Sequence, residues 1–160
     1  MTTETAGSHI AVRNFEGVDQ SFLARVAGRL RPAETASPRD AETIERYFAD
    51  FTERTLLREP GALAFVAMLD AAPAGIIAVH PDTDYFTGHP RAYVDVLVVV
   101  PEYEGRGVGS ALMDHVERWA RQNGFREVVL DVFASNVDAI EFYRRRGYQP
   151  DHIRMAKGLN

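Results

Sequence analysis

The segment Arg91–Val100 constrains the fold more than any other stretch of this chain. It is apolar on both alternating faces: Tyr93, Leu97 and Val99 fall on one, Val94, Val96, Val98 and Val100 on the other. A strand of that kind is covered on both sides, so it belongs inside a sheet. Gly105-Arg106-Gly107-Val108-Gly109-Ser110 follows it closely. From there Val108, Leu112, Val116 and Trp119 recur at helical spacing as far as Gly124. The chain is therefore expected to pass from a central strand through a glycine turn into a helix.

The remaining segments fit around that unit. His9–Phe15 reads as a strand and Val18–Leu30 as a helix. Arg31–Pro38 reads as a linker, with Ser37 as N-cap of a second helix, Pro38 and Asp40 in its first turn, and Ile44, Tyr47, Phe48 and Phe51 on its apolar face. Ala62–Leu69 and Gly75–Val79 read as a hairpin joined by Asp70–Ala74, and Pro81–Pro90 as a longer loop. Arg126–Phe133 is an expected strand, Asn136–Arg146 a helix closed by Gly147, and His152–Lys157 a last strand. This order predicts a mixed α/β layer fold. Residues 1–8 read as a flexible tail and 9–160 as one domain, since 160 residues suit a single core.

Composition removes whole classes of function. There is no cysteine, which excludes disulfides, thiolate catalysis and cysteine metal sites. The net charge is -5, from 18 basic and 23 acidic side chains, so the chain is a poor non-specific binder of nucleic acid. Residues 1–90 carry 8 basic and 13 acidic groups, which favours a cationic ligand nearer the first half. The longest apolar run, Ala62–Leu69, is far short of the ~20 residues of a membrane span. No signal peptide is recognisable, so a cytoplasmic location without membrane attachment is expected. His9, His80, His89, His115 and His152 lack metal-ligand spacing and read as surface or rim residues; no metal is expected.

The glycine turn has its own chemistry. Glycines allow a sharp turn and close approach of backbone to ligand, and amides at a helix N-terminus favour an anion such as a pyrophosphate. Arg106 adds a positive charge. The spacing is not that of a P-loop, which needs a lysine after its second glycine, nor the Gly-x-Gly-x-x-Gly of a dinucleotide fold. Asn136 and Tyr143 lie nearly two helical turns apart, on one face with Ile140 between. On residues alone, Asn136 serves equally as an N-cap, and Tyr143 as a core aromatic with its hydroxyl at the rim.

Val99-Val100-Pro101-Glu102-Tyr103 running into Gly105–Leu112, together with Asn136, Ala139, Ile140, Tyr143 and Gly147-Tyr148, resembles the two signature motifs of the GCN5-related N-acetyltransferase (GNAT) superfamily. The resemblance covers residues 91–157 and extends to 9–80 only through the order of elements. It implies a mostly antiparallel mixed sheet with helices on both faces, and acetyl-CoA as cosubstrate. It implies that backbone groups of Leu97, Val98 and Val99 hold the pantetheine arm, with an amide near Val98 polarising the thioester carbonyl. Gly105, Arg106, Gly107, Val108, Gly109 and Ser110 would cradle the pyrophosphate, with Asn136 on the cofactor side. One position departs from the pattern: Glu104 stands where Arg or Gln is usual, and a solvent-facing carboxylate is expected there.

The resemblance gives the carboxylates and Tyr143 their expected roles. Tyr143 is the general acid for the leaving thiolate. Asp95 falls where similar diamine acetyltransferases carry a glutamate beside the substrate; it also reads as a buried aspartate paired with an arginine or capping a bulge. Asp131 matches a glutamate proposed as base in similar ribosomal-protein N-terminal acetyltransferases. Tyr85, Phe86 and Tyr93 are expected at the acceptor pocket, and Arg144–Arg146 at a solvated helix end. The implied function is direct acetyl transfer to the primary amine of a small, cationic acceptor. Protein N-terminal or lysine acetylation and a non-catalytic acyl-CoA-binding module are the alternatives, and a homodimer is left open.

Overall fold

A computed structural model describes residues 9–30, 39–49 and 60–159. The expected tail, the linker with Ser37 and Pro38, and Phe51 lie outside the described residues, as does the side chain of Phe48. The elements are β1 (Ile10–Asn14), α1 (Gln20–Ala27), α2 (Ala41–Ala49), β2 (Leu63–Leu69), β3 (Ala72–Thr83), β4 (Pro90–Val99), α3 (Val108–Gln122), β5 (Val128–Leu130) and α4 (Val137–Arg145). The sheet order is β1-β2-β3-β4-β5, with the first four strands antiparallel and β5 parallel to β4.

Helices cover both faces, as expected of a sheet whose central strands are apolar on both sides. Phe22, Leu23 and Val26 of α1 pack on Val66, Ile76, Ala78, Val96 and Val98. Val108, Leu112, Met113 and Val116 of α3 pack on Phe65, Ala67, Ile77, Val79 and Val94. Phe142 and Tyr143 of α4 join this second cluster. None of the described helices is long and apolar enough to cross a membrane.

Local chemistry moves several expected boundaries. The first helix begins later than Val18, which is exposed, because Asp19 closes a 3-10 turn over Gly17–Asp19. Asp19 accepts from the Glu16 amide at 2.9 Å and from both terminal nitrogens of Arg13 at 2.7 and 2.9 Å. Asp40, expected within the first turn of α2, instead caps the helix by accepting from the Thr43 amide at 2.7 Å. The link between β2 and β3 is a two-residue turn, not five residues, since Asp70 and Ala71 both adopt positive φ (49° and 65°) and Leu69 pairs with Ala72. The expected Pro81–Pro90 loop shrinks to its tip. Pro81 pairs with Ala92 and Thr83 with Pro90, and Arg91 ties Asp82 (2.7 Å) to Asp84 (3.2 Å) across the hairpin. Strand β5 stops at Leu130 instead of Phe133. His152–Lys157 forms no strand; Ile153 and Met155 face solvent, so their alternation buries nothing.

One irregularity matters most for the site. Ala78 pairs with Val96 but Val79 with Val94, which makes Asp95 the extra residue of a β-bulge in β4. The bulge switches the strand's alternation. Val94 packs with Leu97 and Val99 under α3, while Val96 and Val98 lie under α1. The expected grouping of Val94 with Val96 and Val98 is therefore corrected by one inserted residue.

Candidate active site

Past the bulge, β4 and β5 part. Their pairing covers Ala92, Tyr93 and Val94 and ends there. On its other side β4 stays with β3, where the Val100 amide donates to the Ala74 carbonyl at 2.8 Å. Antiparallel ladders use alternate residues, so Val96 and Val98 bond β3 in the same register. The backbone groups of Leu97 and Val99 then face the gap left by β5. This corrects the expectation for Val98, whose amide belongs to the ladder; Leu97 and Val99 are the two that can meet an extended arm as an added strand would.

The glycine turn follows β4, after the 3-10 turn Pro101–Tyr103, and leads into α3. Gly105 and Gly107 adopt φ of 71° and 84°, a left-handed conformation that side-chain-bearing residues rarely hold. Gly107 is the N-cap of α3, and no side chain caps the helix. The first rung runs from the Ala111 amide to the Gly107 carbonyl at 2.9 Å, so the ladder leaves the amides of Val108, Gly109 and Ser110 without partners inside the helix. No acidic residue lies in the first turn, and the space before Gly105 is open. These features fit a diphosphate. Val108 itself is buried, so only its backbone serves such a ligand. Gly109 has a packing reason as well: a Cβ there would meet Phe142 Cζ at 3.4 Å. Arg106 lies 3.8 Å from Asp70 and over the Tyr103 ring at 5.4 Å. Glu104 is largely exposed, and it is paired with Arg29 from the 3-10 turn after α1.

Tyr143 stands on α4 between Phe142 and Tyr148, with ring centroids 5.2 and 5.7 Å away. Burial pushes its phenol up to about 12, with no charged neighbour contributing. It therefore stays protonated at neutral pH. The Asn136 side-chain oxygen accepts from the Ala139 amide at 3.2 Å, the N-cap arrangement. At the other end of α4, Arg146 is not solvated, unlike the expected helix end. It is 15% exposed and donates to Asp114 at 2.6 Å and Glu117 at 3.0 Å, while the Tyr148 hydroxyl donates to Glu117 at 3.2 Å. This clasp fixes α4 against α3.

The two candidate carboxylates are each tied to the β3–β4 region by a side-chain pair. Asp95 Oδ2 lies 2.7 Å from His80 Nδ1, and the two side chains are 15% and 18% exposed. Of the two readings from the sequence, Asp95 does lie at a bulge, and its partner is a histidine in place of an arginine. His80 leans on the Tyr93 ring at 5.2 Å, and the Tyr93 hydroxyl donates to Asp131 at 2.9 Å. Burial first, then Asp131 and Asp95, hold the Tyr93 phenol well above the ordinary tyrosine range. Tyr93 thus stands between both carboxylates. His80, Arg29 and Arg146 were not singled out by sequence as site residues; the first depends on a strand register that the bulge sets. His115, also read as a rim residue, is half-buried against Phe65 at 4.4 Å. Tyr85 and Phe86 stack on each other, exposed at the tip of the β3–β4 hairpin.

Known proteins share this fold. The model of the Acetyltransferase (GNAT) family matches residues 28–148. An aminoalkylphosphonate N-acetyltransferase of Salmonella typhimurium is 30% identical over 103 residues, 64% of this chain and 67% of that one. An uncharacterized N-acetyltransferase of Methanocaldococcus jannaschii is 32% identical over 92 residues, 56% of this chain but 40% of the length of that relative. A solved aminoglycoside N-acetyltransferase in complex with CoA has the same fold, with a TM-score of 0.72 at 20% identity over 97% of this chain and 98% of that one. With the family match spanning both the glycine turn and the Tyr143 helix, the chain belongs to the acetyltransferase (GNAT) family.

Proposed function

We propose that this N-acetyltransferase moves an acetyl group from acetyl-CoA directly to the primary amine of a small cationic acceptor. The observation that carries the reading is the grouping of Asp95 with His80 and of Asp131 with Tyr93 beside the gap between β4 and β5. Two carboxylates there attract an ammonium group. The named relatives support the amine class, since their names place amines among their acceptors.

The residues divide the work. Acetyl-CoA supplies the activated acetyl group as a thioester. The amides of Val108, Gly109 and Ser110 hold its diphosphate, and Leu97 and Val99 its pantetheine arm. One of the latter two amides polarises the carbonyl oxygen. With Nδ1 of His80 engaged by Asp95, Nε2 is the nitrogen that takes the proton of the acceptor ammonium. The amine nitrogen then bonds to the carbonyl carbon, and the carbon–sulfur bond breaks as Tyr143 gives its phenolic proton to the sulfur. The second proton lost by the nitrogen passes through solvent to restore the phenol, leaving a neutral amide and a free thiol.

The test is thiol release from acetyl-CoA across a panel of small amines, with and without a second cationic group, beside a panel of N-terminal peptides. Faster turnover of the dicationic amines is the expected result. Preference for peptides would transfer the reading to protein acetylation. Binding of acetyl-CoA with no turnover on either panel would favour a non-catalytic module.

A further inference from the structure

The turn that fits a diphosphate begins beside a carboxylate. Glu104 ends the 3-10 turn Pro101–Tyr103 in extended conformation, immediately before Gly105 at φ 71°. A fixed negative charge at that distance repels an anion seated on the following amides. Arg29 reaches Glu104 from a different part of the chain, the 3-10 turn Gly28–Leu30 that follows α1. The pair is 39% and 56% exposed, so it adds little to stability. Its position is what gives it consequence. Arg106, the other cation at the turn, leans toward Asp70 at 3.8 Å, so it shares its charge with a second carboxylate. Glu104 with Arg29, and Arg106 with Asp70, are two pairs whose charges cancel, and Glu102 in the 3-10 turn Pro101–Tyr103 adds a further negative charge. Removal of Arg29 alone uncovers the charge of Glu104 next to Gly105.

Resting on the acetyl-CoA reading above, we propose that Arg29 is a cofactor-affinity residue: by neutralising Glu104, it permits a diphosphate to occupy the Gly105–Ser110 turn. Arg29 acts through Glu104 and is a positioning residue for charge rather than a ligand of the phosphate. The role therefore has a double-variant signature. Its loss matters when Glu104 is charged and ceases to matter when that charge is removed.

The experiment is calorimetric titration of acetyl-CoA, and of dephospho-CoA, into the wild-type chain and into Arg29→Ala, Glu104→Gln and the double variant. Wild type is expected to bind both ligands. Arg29→Ala is expected to weaken both about tenfold, because both keep the diphosphate. Glu104→Gln should bind at least as tightly as wild type, and the double variant within about twofold of Glu104→Gln. Recovery in the double variant also shows that Arg29→Ala is folded. Raising the salt should narrow the gap between Arg29→Ala and wild type. Equal affinity of Arg29→Ala and wild type would overturn the proposal, as would an equal loss in the Glu104→Gln background, which would make Arg29 a direct ligand or a structural residue. A loss with acetyl-CoA but not with dephospho-CoA would assign Arg29 to the terminal phosphate and overturn it equally. If wild type binds neither ligand, the acetyl-CoA reading itself falls, and this proposal with it.

Discussion

Tyr143 shows how one residue's surroundings can select its chemistry. Burial alone pushes its phenol up to about 12, so the group keeps its proton at neutral pH and can give it up only in concert with breakage of the carbon–sulfur bond, as negative charge builds on the sulfur. Replacement by Phe keeps the ring contacts with Phe142 and Tyr148 and removes only the proton. Tyr143→Phe is expected to lower turnover on the best panel amine by about 10²-fold, the scale of lost acid catalysis, with acetyl-CoA affinity in calorimetry unchanged. Turnover equal to wild type would remove Tyr143 from the reaction. Tyr143 was singled out through the resemblance of the Asn136–Tyr143 segment to a family motif; on residues alone it read equally as a core aromatic. His80 was not. Its partner Asp95 stood out as a charge in an apolar strand, but which residue of β3 it meets depends on a bulge whose effect is to shift the register by one.

At the scale of elements, helices were easier to read than strand ends. Helical spacing and glycine stops placed α3 and α4 to within a residue or two, because each buries one face and stops where Gly124 and Gly147 take positive φ. Strand limits depend on partners. β3 extends through Pro81 because β4 pairs with it and Arg91 links Asp82 and Asp84; β5 shortens because β4 turns away after Val94. The bulge was marked in the sequence only by Asp95, a charge in a strand otherwise apolar on both faces, and the pattern did not show that the alternation of the valines slips there. The junction of α3 and α4 was equally hidden. Arg146 lies among three arginines that read as solvated, yet it is held by Asp114 and Glu117 with its Nε buried and without a hydrogen-bond partner. Charged hydrogen bonds of this kind are worth about 1.5–3 kcal/mol. Arg146→Ala is therefore expected to cost about 2 kcal/mol in urea denaturation. Because the clasp anchors the helix that carries Tyr143, turnover should fall more than acetyl-CoA affinity. A variant as stable as wild type would show that apolar packing of Phe142 alone seats α4.

For the whole molecule, the same buried and paired groups set a pH window of stability. On the acid side, the hydrogen bonds from Arg13, opposed by burial, hold Asp19 below the usual carboxylate range. The unfolded chain takes up that proton near ~3.9, while the folded chain still resists it. Stability from this group is thus complete above ~3.9 and is lost as pH falls through the lower folded value. Asp84, held down by its bonds from Thr87, adds to the same limb. On the alkaline side the sign reverses. Burial raises Tyr93, Tyr143 and Tyr148, the first also through Asp131 and the last also through Glu117. The unfolded chain releases phenolic protons near ~10, before the folded chain does, so stability falls as pH rises beyond that point. Thermal midpoints measured across pH should form a plateau between about pH 5 and 9, with a drop on each side. Asp19→Asn should lower the plateau and flatten the acid limb, because the variant has no proton to gain at that site. Tyr148→Phe should leave the acid limb alone and make the alkaline limb shallower. An alkaline limb as steep in Tyr148→Phe as in wild type would mean that this phenol ionises in the folded protein as it does in the unfolded chain, and that its bond to Glu117 contributes nothing to holding α4 on α3.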